Sequence, residues 1–286
     1  MLRLAGWAAD NLPTGVKRRL YRLGPLTRWL RSVLNRSAPK GPVEVEVAAG
    51  LLKGARLLLD LQEEKDLWLG TYETDMQSEV ARRLEPGMVV YDIGAHIGYL
   101  TLGLARRVGP TGLVLAFEPL PGNQARLRSN VEANGFGERV ILRPVAVGDQ
   151  EGTGSFLVHP SASMGKLEQS AGRQEGYQQS IEVTTVTLDD EVYQRGAPPP
   201  DWVKLDVEGG EGAVLAGSQR LLTEARPGWW IELHGPVGAR QAWDWLTQAG
   251  YELYTLGNRP ARVLSADELD WKAYLLALPA EVGADG

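Results

Sequence analysis

Glycines and carboxylates are combined near the middle of this sequence in a pattern that suits nucleoside binding. The segment 92–98 reads Asp-Ile-Gly-Ala-His-Ile-Gly, and Glu118 follows Gly98 by twenty residues. Glycines where a strand turns into a helix let the backbone approach a ligand, and an acid at the end of the next strand can accept hydrogen bonds from two ribose hydroxyls. The spacing predicts a turn that binds a nucleoside.

The charge of this turn indicates which nucleoside ligand would fit. The G-x-G-x-x-G spacing of dinucleotide sites is absent, and the carboxylate of Asp92 would repel a phosphate. A ligand with a cationic amino acid moiety and a nucleoside but no phosphate fits better, which describes S-adenosylmethionine (AdoMet). An NAD-dependent oxidoreductase is the less favoured alternative. A purely structural interpretation makes Asp92 a helix cap and Glu118 a solvated strand end.

A second group of polar residues follows two later hydrophobic runs. Alternation along the first of these runs places Lys204, Asp206 and Glu208 on one face of a strand. Alternation along the second likewise places Glu232 and His234 on one face of the next strand. Ligands bind at the carboxyl ends of parallel strands, so we expect these side chains to converge there. A histidine or carboxylate can remove a hydroxyl proton, and we predict His234 as the base, oriented by a carboxylate. The alternative is a divalent cation held by Asp206 and neighbouring oxygens.

The elements that must position these residues alternate between strands and helices. Hydrophobic runs predict strands, and helical patterns lie between them. The predicted strands are 88–94, 113–119, 139–147, 202–207 and 228–234, and the predicted helices are 99–109, 123–135, 210–225 and 237–250. This alternation predicts an α/β fold with a parallel sheet. Two closing runs, 251–256 and 273–278, predict an antiparallel hairpin at the sheet edge. We interpret Glu211 as an acid that favours a helix start.

The remaining chain divides into an arm, an extension and an insertion. We expect a basic helical arm at 1–40, a β-hairpin extension at 41–70 and the ligand-binding domain at 71–286. Within that domain, 151–200 predicts two inserted strands that flank a polar loop at 161–180. Loops of this length in compact domains are usually functional. We therefore predict that this loop forms part of the site for a second substrate.

Composition excludes several classes of function. The 286 residues include no cysteine, which rules out disulfides, thiolate metal sites and cysteine nucleophiles. The arm carries a net charge of +8, which leaves −14 on the rest of the chain and argues against nucleic acid as a partner. No apolar run approaches the roughly 18 residues that span a bilayer, so we expect a cytoplasmic protein. The arm either docks on the body or a second subunit, or attaches peripherally to the inner face of an anionic membrane.

Five ordered segments resemble the motifs of the FkbM-type AdoMet-dependent methyltransferases. They are VVYDIGAHIGYLTL, LAFEPLPGNQARLRSNVEANG, VTTVTLDDEV, WVKLDVEGGEGAVLAGSQRLL and WWIELHG. The resemblance extends over about residues 71–235. It implies a Rossmann-like class I methyltransferase fold with a seven-stranded, mostly parallel sheet and a terminal antiparallel hairpin. It also implies O-methylation of a small-molecule or glycan acceptor, often a hydroxyl of a sugar or secondary metabolite. A non-catalytic AdoMet-binding scaffold is the alternative.

The resemblance further implies how the chain binds its cofactor. Asp92, Gly94 and Gly98 would form the loop on the methionine side of AdoMet, and Glu118 would bind the ribose. The neighbouring residues expected at the cofactor are Ala95, His96 and Pro119.

The adenine and the methyl group have separate expected contacts. Ala146 and Val147 would flank the adenine, and Asp206 would face the methyl group that is transferred. His96 stands where family members often have asparagine. The residues expected in catalysis are Asp206, Glu208, Glu232 and His234.

Overall fold

The computed structural model describes residues 41–159, 165–171, 175–257, 260–269 and 274–282. The predicted arm at 1–40 lies outside the described residues. The described chain begins with a two-stranded antiparallel hairpin, β1 (Pro42–Glu46) and β2 (Arg56–Asp60), as the alternating VEVEV run predicts. Two helices follow, α1 (Lys65–Leu69) and α2 (Thr74–Arg83). No helix in the described part of the chain is long and apolar enough to cross a membrane.

A seven-stranded sheet forms the centre of the described structure. Its strands are β3 (Val89–Ile93), β4 (Leu113–Phe117), β5 (Val140–Arg143), β10 (Trp202–Leu205), β11 (Gly228–Glu232), β12 (Tyr251–Thr255) and β13 (Tyr274–Pro279). The spatial order is β12-β13-β11-β10-β3-β4-β5. β13 runs antiparallel to both of its neighbours, β12 and β11, and the other pairs of neighbouring strands are parallel. The predicted parallel sheet and its closing hairpin are confirmed.

Helices pack on both faces of this sheet. They are α3 (Tyr99–Val108), α4 (Pro121–Ala133), α5 (Leu188–Tyr193), α6 (Glu211–Ala216) and α7 (Pro236–Gln248). The single helix predicted for 210–225 is wrong, because α6 ends at Ala216 and a wider π-helical turn forms at Leu221–Ala225. The carboxylate of Asp189 accepts from the N–H groups of Arg220 and Leu221 at 2.9 Å, and the N–H of Asp189 donates to the carbonyl of Gly217 at 3.1 Å, so these backbone groups do not pair as in a continuous α-helix.

The strand predicted for 139–147 is also two strands. Pro144 has no N–H to continue a ladder, so β5 ends at Arg143 and β6 (Ala146–Val147) joins a separate sheet. That sheet also contains β7 (Gly152–Val158), β8 (Gly165–Leu167) and β9 (Gln179–Val186), in the order β6-β9-β7-β8. The predicted polar loop at 161–180 therefore contains a strand, β8, and the start of β9.

The hairpin shares a hydrophobic core with the main sheet. Leu57 and Leu59 of β2 are fully buried in the same cluster as Leu127 of α4. The amide of Asn130 accepts a hydrogen bond from the N–H of Leu58 at 2.7 Å and donates to a carbonyl in the turn before α3 at 2.8 Å. The hairpin therefore packs directly beside the predicted nucleoside-binding turn, whereas the division of the chain into separate units stays a prediction.

Candidate active site

A cavity of about 960 Å³ opens at the carboxyl ends of the central strands. The chain continues from β3 to β4 on one side, while β10 pairs with β3 on the other, which makes this edge a topological switch point. Ligands of open α/β sheets bind at such points. The expected site residues that line the cavity are Gly94, Ala95, His96, Glu118, Pro119, Ala146, Val147, Asp206, Glu208 and Glu232.

The predicted nucleoside-binding turn depends on glycine at one contact. Gly94 has φ of +78°, and a Cβ there would lie 1.8 Å from the carbonyl oxygen of Asp206. The N–H groups of Gly94 and Ala95 both donate to the carbonyl of Phe117 at the end of β4 at 3.0 Å. The turn is therefore pressed between two neighbouring strands, and Gly98 begins α3 beneath it.

Asp92 occupies a different position from the one expected. Its side chain is fully buried, and it is not among the residues that line the cavity. One carboxylate oxygen accepts from the hydroxyl of Thr101 at 2.6 Å, and the other lies 3.4 Å from Nζ of Lys204. We expected Asp92 to contact the cofactor directly. Its buried position and the compensation of its charge by Lys204 indicate instead that Asp92 supports the turn from below.

Glu118 lies at the end of β4, where the sequence predicts the ribose contact. Its two carboxylate oxygens accept from the N–H of His96 at 2.8 Å, the N–H of Leu120 at 2.9 Å and the side chain of Asn123 at 3.2 Å. Only 5% of the residue is exposed. Burial raises the pKa of Glu118 to about 7, although these hydrogen bonds oppose the shift. Glu118 therefore ties the glycine turn to β4 and changes charge near neutrality.

His96 has a backbone conformation that side chains rarely adopt. Its φ is +51°, in the left-handed region where asparagine is tolerated better than most residues. Burial lowers the pKa of His96 to about 4, so its imidazole is neutral at neutral pH. Nε2 is buried and has no hydrogen-bond partner within the described residues. The ring lines the cavity and offers an unused nitrogen to a ligand.

The predicted catalytic cluster is assembled around the imidazole of His234. Nε2 lies 3.8 Å from Oδ1 of Asp206, 3.8 Å from Oε2 of Glu208 and 3.7 Å from Oε1 of Glu232. These distances exceed a normal hydrogen bond. The cluster therefore brings together all four residues that the sequence predicts for catalysis.

Glu211 corrects our sequence-based interpretation. It was expected only to favour the start of a helix, but its Oε1 lies 2.9 Å from Nδ1 of His234 and accepts from the N–H of Gly209 at 2.9 Å. Glu211 is fully buried. It therefore fixes the ring orientation and directs Nε2 of His234 towards the three other carboxylates. Burial lowers the pKa of His234, but Glu211 and the nearby acids outweigh this and raise it to about 9.

Glu232 is held by a residue from the far end of the chain. The hydroxyl of Tyr274 on β13 donates to Oε2 of Glu232 at 2.7 Å. Burial and the charge of Asp206 raise the pKa of Glu232 to about 8. One ligand atom each from Asp206, Glu232 and His234 lies within 4.8 Å of the other two, which is close enough for the three to share a metal ion.

Another wall of the cavity has no signal in the sequence. The end of β2, the following turn and α1 contribute Asp60, Glu63, Glu64 and Leu67 to it. Tyr72, between α1 and α2, also lines the cavity, and burial together with the charges of Glu73, Asp206 and Glu232 raises its pKa. Arg126 of α4 fastens this wall, because its guanidinium donates to both carboxylate oxygens of Glu64. Sequence reasoning missed these residues because their distance along the chain from the glycine turn hides their proximity to it.

The sheet order, the switch-point turn without a third glycine and the acid at the end of β4 together define a class I methyltransferase fold. The sequence model of the methyltransferase FkbM domain matches residues 92–253. This match covers more than half of the chain, which therefore belongs to the FkbM methyltransferase family. The fold class and the family predicted from the sequence are both confirmed.

Three curated relatives are similar to this chain. The 31-O-demethyl-FK506 methyltransferase FkbM of Streptomyces tacrolimicus is 33% identical over 160 residues, which are 47% of this chain and 60% of that protein. The 2-O-methyltransferase NoeI of Sinorhizobium fredii is 30% identical over 205 residues, which are 64% of this chain and 80% of NoeI. The hexuronic acid methyltransferase AglP of Haloferax volcanii is 27% identical over 227 residues, which are 78% of this chain and 87% of AglP.

Proposed function

We propose that this protein is an AdoMet-dependent O-methyltransferase that acts on a hydroxyl of a sugar, glycan or secondary metabolite. One observation carries the proposal: the glycine turn and Glu118 line the same cavity as Asp206, Glu208 and Glu232. A cofactor and an acceptor hydroxyl can therefore meet beside groups able to handle a proton. The names of the relatives, which specify a 31-O position, a 2-O position and a hexuronic acid, support oxygen as the methylated atom.

The residues at the turn fit AdoMet. When bound, AdoMet supplies an electrophilic methyl group on a sulfonium sulfur, and the neutral thioether S-adenosylhomocysteine is a leaving group that needs no further activation. Glu118 would accept hydrogen bonds from the ribose hydroxyls, and Ala146 and Val147, both buried at the cavity wall, would flank the adenine. The free Nε2 of His96 is available for a polar cofactor group. The absence of a side chain at Gly94 keeps the turn close to the carbonyl of Asp206 at the end of β10.

Two routes can remove the acceptor proton. In the first, Nε2 of His234 accepts it while Glu211 holds Nδ1, and this route requires the neutral imidazole. In the second, Asp206, Glu232 and His234 would hold a divalent cation, which would supply Lewis acidity towards the hydroxyl. The base route predicts that the rate rises with pH towards 9, where His234 loses its proton, and that a chelator has no effect. The cation route predicts that a chelator abolishes turnover and that one divalent metal restores it.

Part of the predicted acceptor loop contributes to the cavity. Gly165, Leu167, Gln169, Ser170 and Ala171 line it, which supports a role of this segment in acceptor binding. Residues 160–164 and 172–174 lie outside the described part. If the acceptor role is correct, replacement of Gln169 and Ser170 by alanine should raise KM for the acceptor without changing the Kd for AdoMet.

The proposed function is tested first by ligand binding and then by turnover. Calorimetry with AdoMet, S-adenosylhomocysteine and NAD should give saturable binding of the first two only, and binding of NAD alone would overturn the proposal. Transfer of labelled methyl from AdoMet to members of a panel of free sugars, glycosides and glycans should then distinguish an enzyme from an AdoMet-binding scaffold. His234→Ala should lower turnover about 10²- to 10⁴-fold under the base route.

The arm at 1–40 stays a separate proposal. Its positive charge and interleaved leucines suit either docking on the acidic body, dimerisation or attachment to an anionic membrane. Sedimentation with vesicles of phosphatidylcholine and phosphatidylserine separates these possibilities. Membrane attachment predicts pelleting that needs phosphatidylserine, weakens with salt and is lost when 1–40 is removed. Equal sedimentation of the full-length protein and of the protein without residues 1–40 would leave docking or dimerisation as the role of the arm.

A further inference from the structure

The ammonium group of Lys204 connects the cofactor side of the cavity with the catalytic cluster. Lys204 lies on β10 directly beside Asp92 of β3 in the parallel register. Its Nζ is 3.4 Å from Oδ1 of Asp92 and 3.3 Å from Oδ2 of Asp206, and it donates to the carbonyl oxygen of Gly94 at 3.0 Å. These partners belong to β3, to the loop after β10 and to the glycine turn. One side chain therefore joins three segments of the site.

One of the three partners of this ammonium is a hydrogen-bonded carbonyl, and the other two are carboxylates at ion-pair distance. A lysine ammonium has three N–H donors and no acceptor. Lys204 is only 3% exposed. The carboxylates of Asp92 and Asp206 compensate the charge of this buried ammonium, and its hydrogen bond is to the carbonyl of Gly94. A cation enclosed by three groups of the protein itself argues for a positioning role rather than direct catalysis.

The contact with Asp206 determines which of its oxygens serves the cluster. Oδ2 faces Lys204, whereas Oδ1 lies 3.8 Å from Nε2 of His234. Asp206 is partly exposed and lines the cavity, so its carboxylate could rotate without a partner on one side. An ion pair to a buried, immobile ammonium restricts that rotation.

We propose that Lys204 is a positioning residue for the methyl-transfer site. It holds the glycine turn through the carbonyl of Gly94 and fixes the carboxylate of Asp206 so that Oδ1 faces the catalytic cluster. This inference rests on the proposed function, because it concerns the same cofactor and the same cavity. The competing explanation is that Lys204 only neutralises the buried charge of Asp92 and leaves cofactor binding unaffected.

Two substitutions separate these explanations. Lys204→Met alone would leave Asp92 as an uncompensated buried charge, which destabilises the fold under either explanation. In the double variant Lys204→Met with Asp92→Asn that charge is gone, and the asparagine oxygen still accepts from Thr101. Lys204→Arg keeps the positive charge. The guanidinium of arginine is planar, however, and its N–H groups are distributed over three nitrogens, so it cannot reproduce the contacts of a single ammonium nitrogen. Both variants should therefore fold, as thermal unfolding will show.

The deciding measurement is the Kd for AdoMet and for S-adenosylhomocysteine by calorimetry. Positioning predicts that Lys204→Arg and the double variant, with a melting temperature near that of the wild type, bind AdoMet at least 10-fold more weakly. It also predicts a reduced preference for AdoMet over S-adenosylhomocysteine, which has a neutral thioether in place of the positive sulfonium, because the carboxylate of Asp206 no longer keeps its place at the methyl-transfer site. Wild-type affinities in either folded variant would overturn the inference.

A matched control and the wild type complete the experiment. Arg83→Met removes another buried cation, which pairs with Glu79 of the same helix at 2.8 Å, and neither of these two residues lines the cavity. It should bind AdoMet as the wild type does. If the wild type itself does not bind AdoMet, the proposed function fails. If the wild type binds and the Lys204 variants bind equally well, only the positioning role fails.

Discussion

Cofactor binding should depend on pH through one carboxyl group, Glu118. The pKa of Glu118 is raised to about 7 by burial, and only the carboxylate can accept hydrogen bonds from both ribose hydroxyls while it accepts from His96 and Leu120. The sign follows from this shift. Because the pKa of Glu118 is raised in the folded protein, its proton stabilises the folded state at low pH, and this stabilisation is lost as pH rises through 7. The carboxylate form of Glu118, which binds AdoMet, appears over the same pH range.

The size of the effect follows from the same pKa. At pH 6 about nine tenths of Glu118 is protonated, so the Kd for AdoMet should be about 10-fold weaker than at pH 8, or about 1.4 kcal/mol. Glu118→Gln is neutral at every pH. It should therefore bind AdoMet more weakly by about 1 to 3 kcal/mol at pH 8 and lose the pH dependence between pH 6 and 7.

Isothermal titration calorimetry from pH 5.5 to 8.5 tests this reasoning. The α-amino group of AdoMet also titrates, near pH 8, and comparison with Glu118→Gln removes that contribution because the ligand is the same. Glu224→Gln is the control, since Glu224 is an exposed partner of Arg220 and should keep the wild-type profile. A wild-type Kd that is constant from pH 6 to 8, or an equal slope in Glu118→Gln, would refute the assignment.

Three further substitutions have expected outcomes. Gly94→Ala places a Cβ 1.8 Å from a backbone oxygen at positive φ, so AdoMet binding should be lost and urea unfolding should show a loss of at least about 1 to 2 kcal/mol; normal binding would contradict the close approach. Tyr274→Phe removes the donor to Glu232 and should lower kcat about 3- to 10-fold with an unchanged Kd for AdoMet, measured by methyl transfer and calorimetry. Arg126→Ala removes the partly buried ion pair with Glu64 and should lower the free energy of unfolding by about 1 to 3 kcal/mol, whereas an unchanged urea midpoint would show that this ion pair does not stabilise the fold.

Much of the fold could be predicted from the sequence because its signals are local. Hydrophobic runs between helical patterns identify the parallel strands, and glycines at the end of β3 identify the ligand turn, because only residues without a Cβ allow that approach. The predictions failed where a local pattern is overridden by one residue or by a distant contact. Pro144 ends β5, and hydrogen bonds with the distant Asp189 replace the helical ones after α6.

The sequence by itself determined which residues could do chemistry. Glu118, Asp206 and His234 have reactive side chains, and their spacing from the hydrophobic runs suffices to predict that each lies at the carboxyl end of a strand. Only the tertiary structure decided what each of them contacts. Lys204 meets Asp92 because β10 and β3 pair in parallel at that register, although 112 positions separate the two residues in the chain. Tyr274 reaches its carboxylate only because β13 inserts beside β11. Charge compensation and hydrogen bonding act over a few ångströms, and the register of distant strands sets which groups come that close.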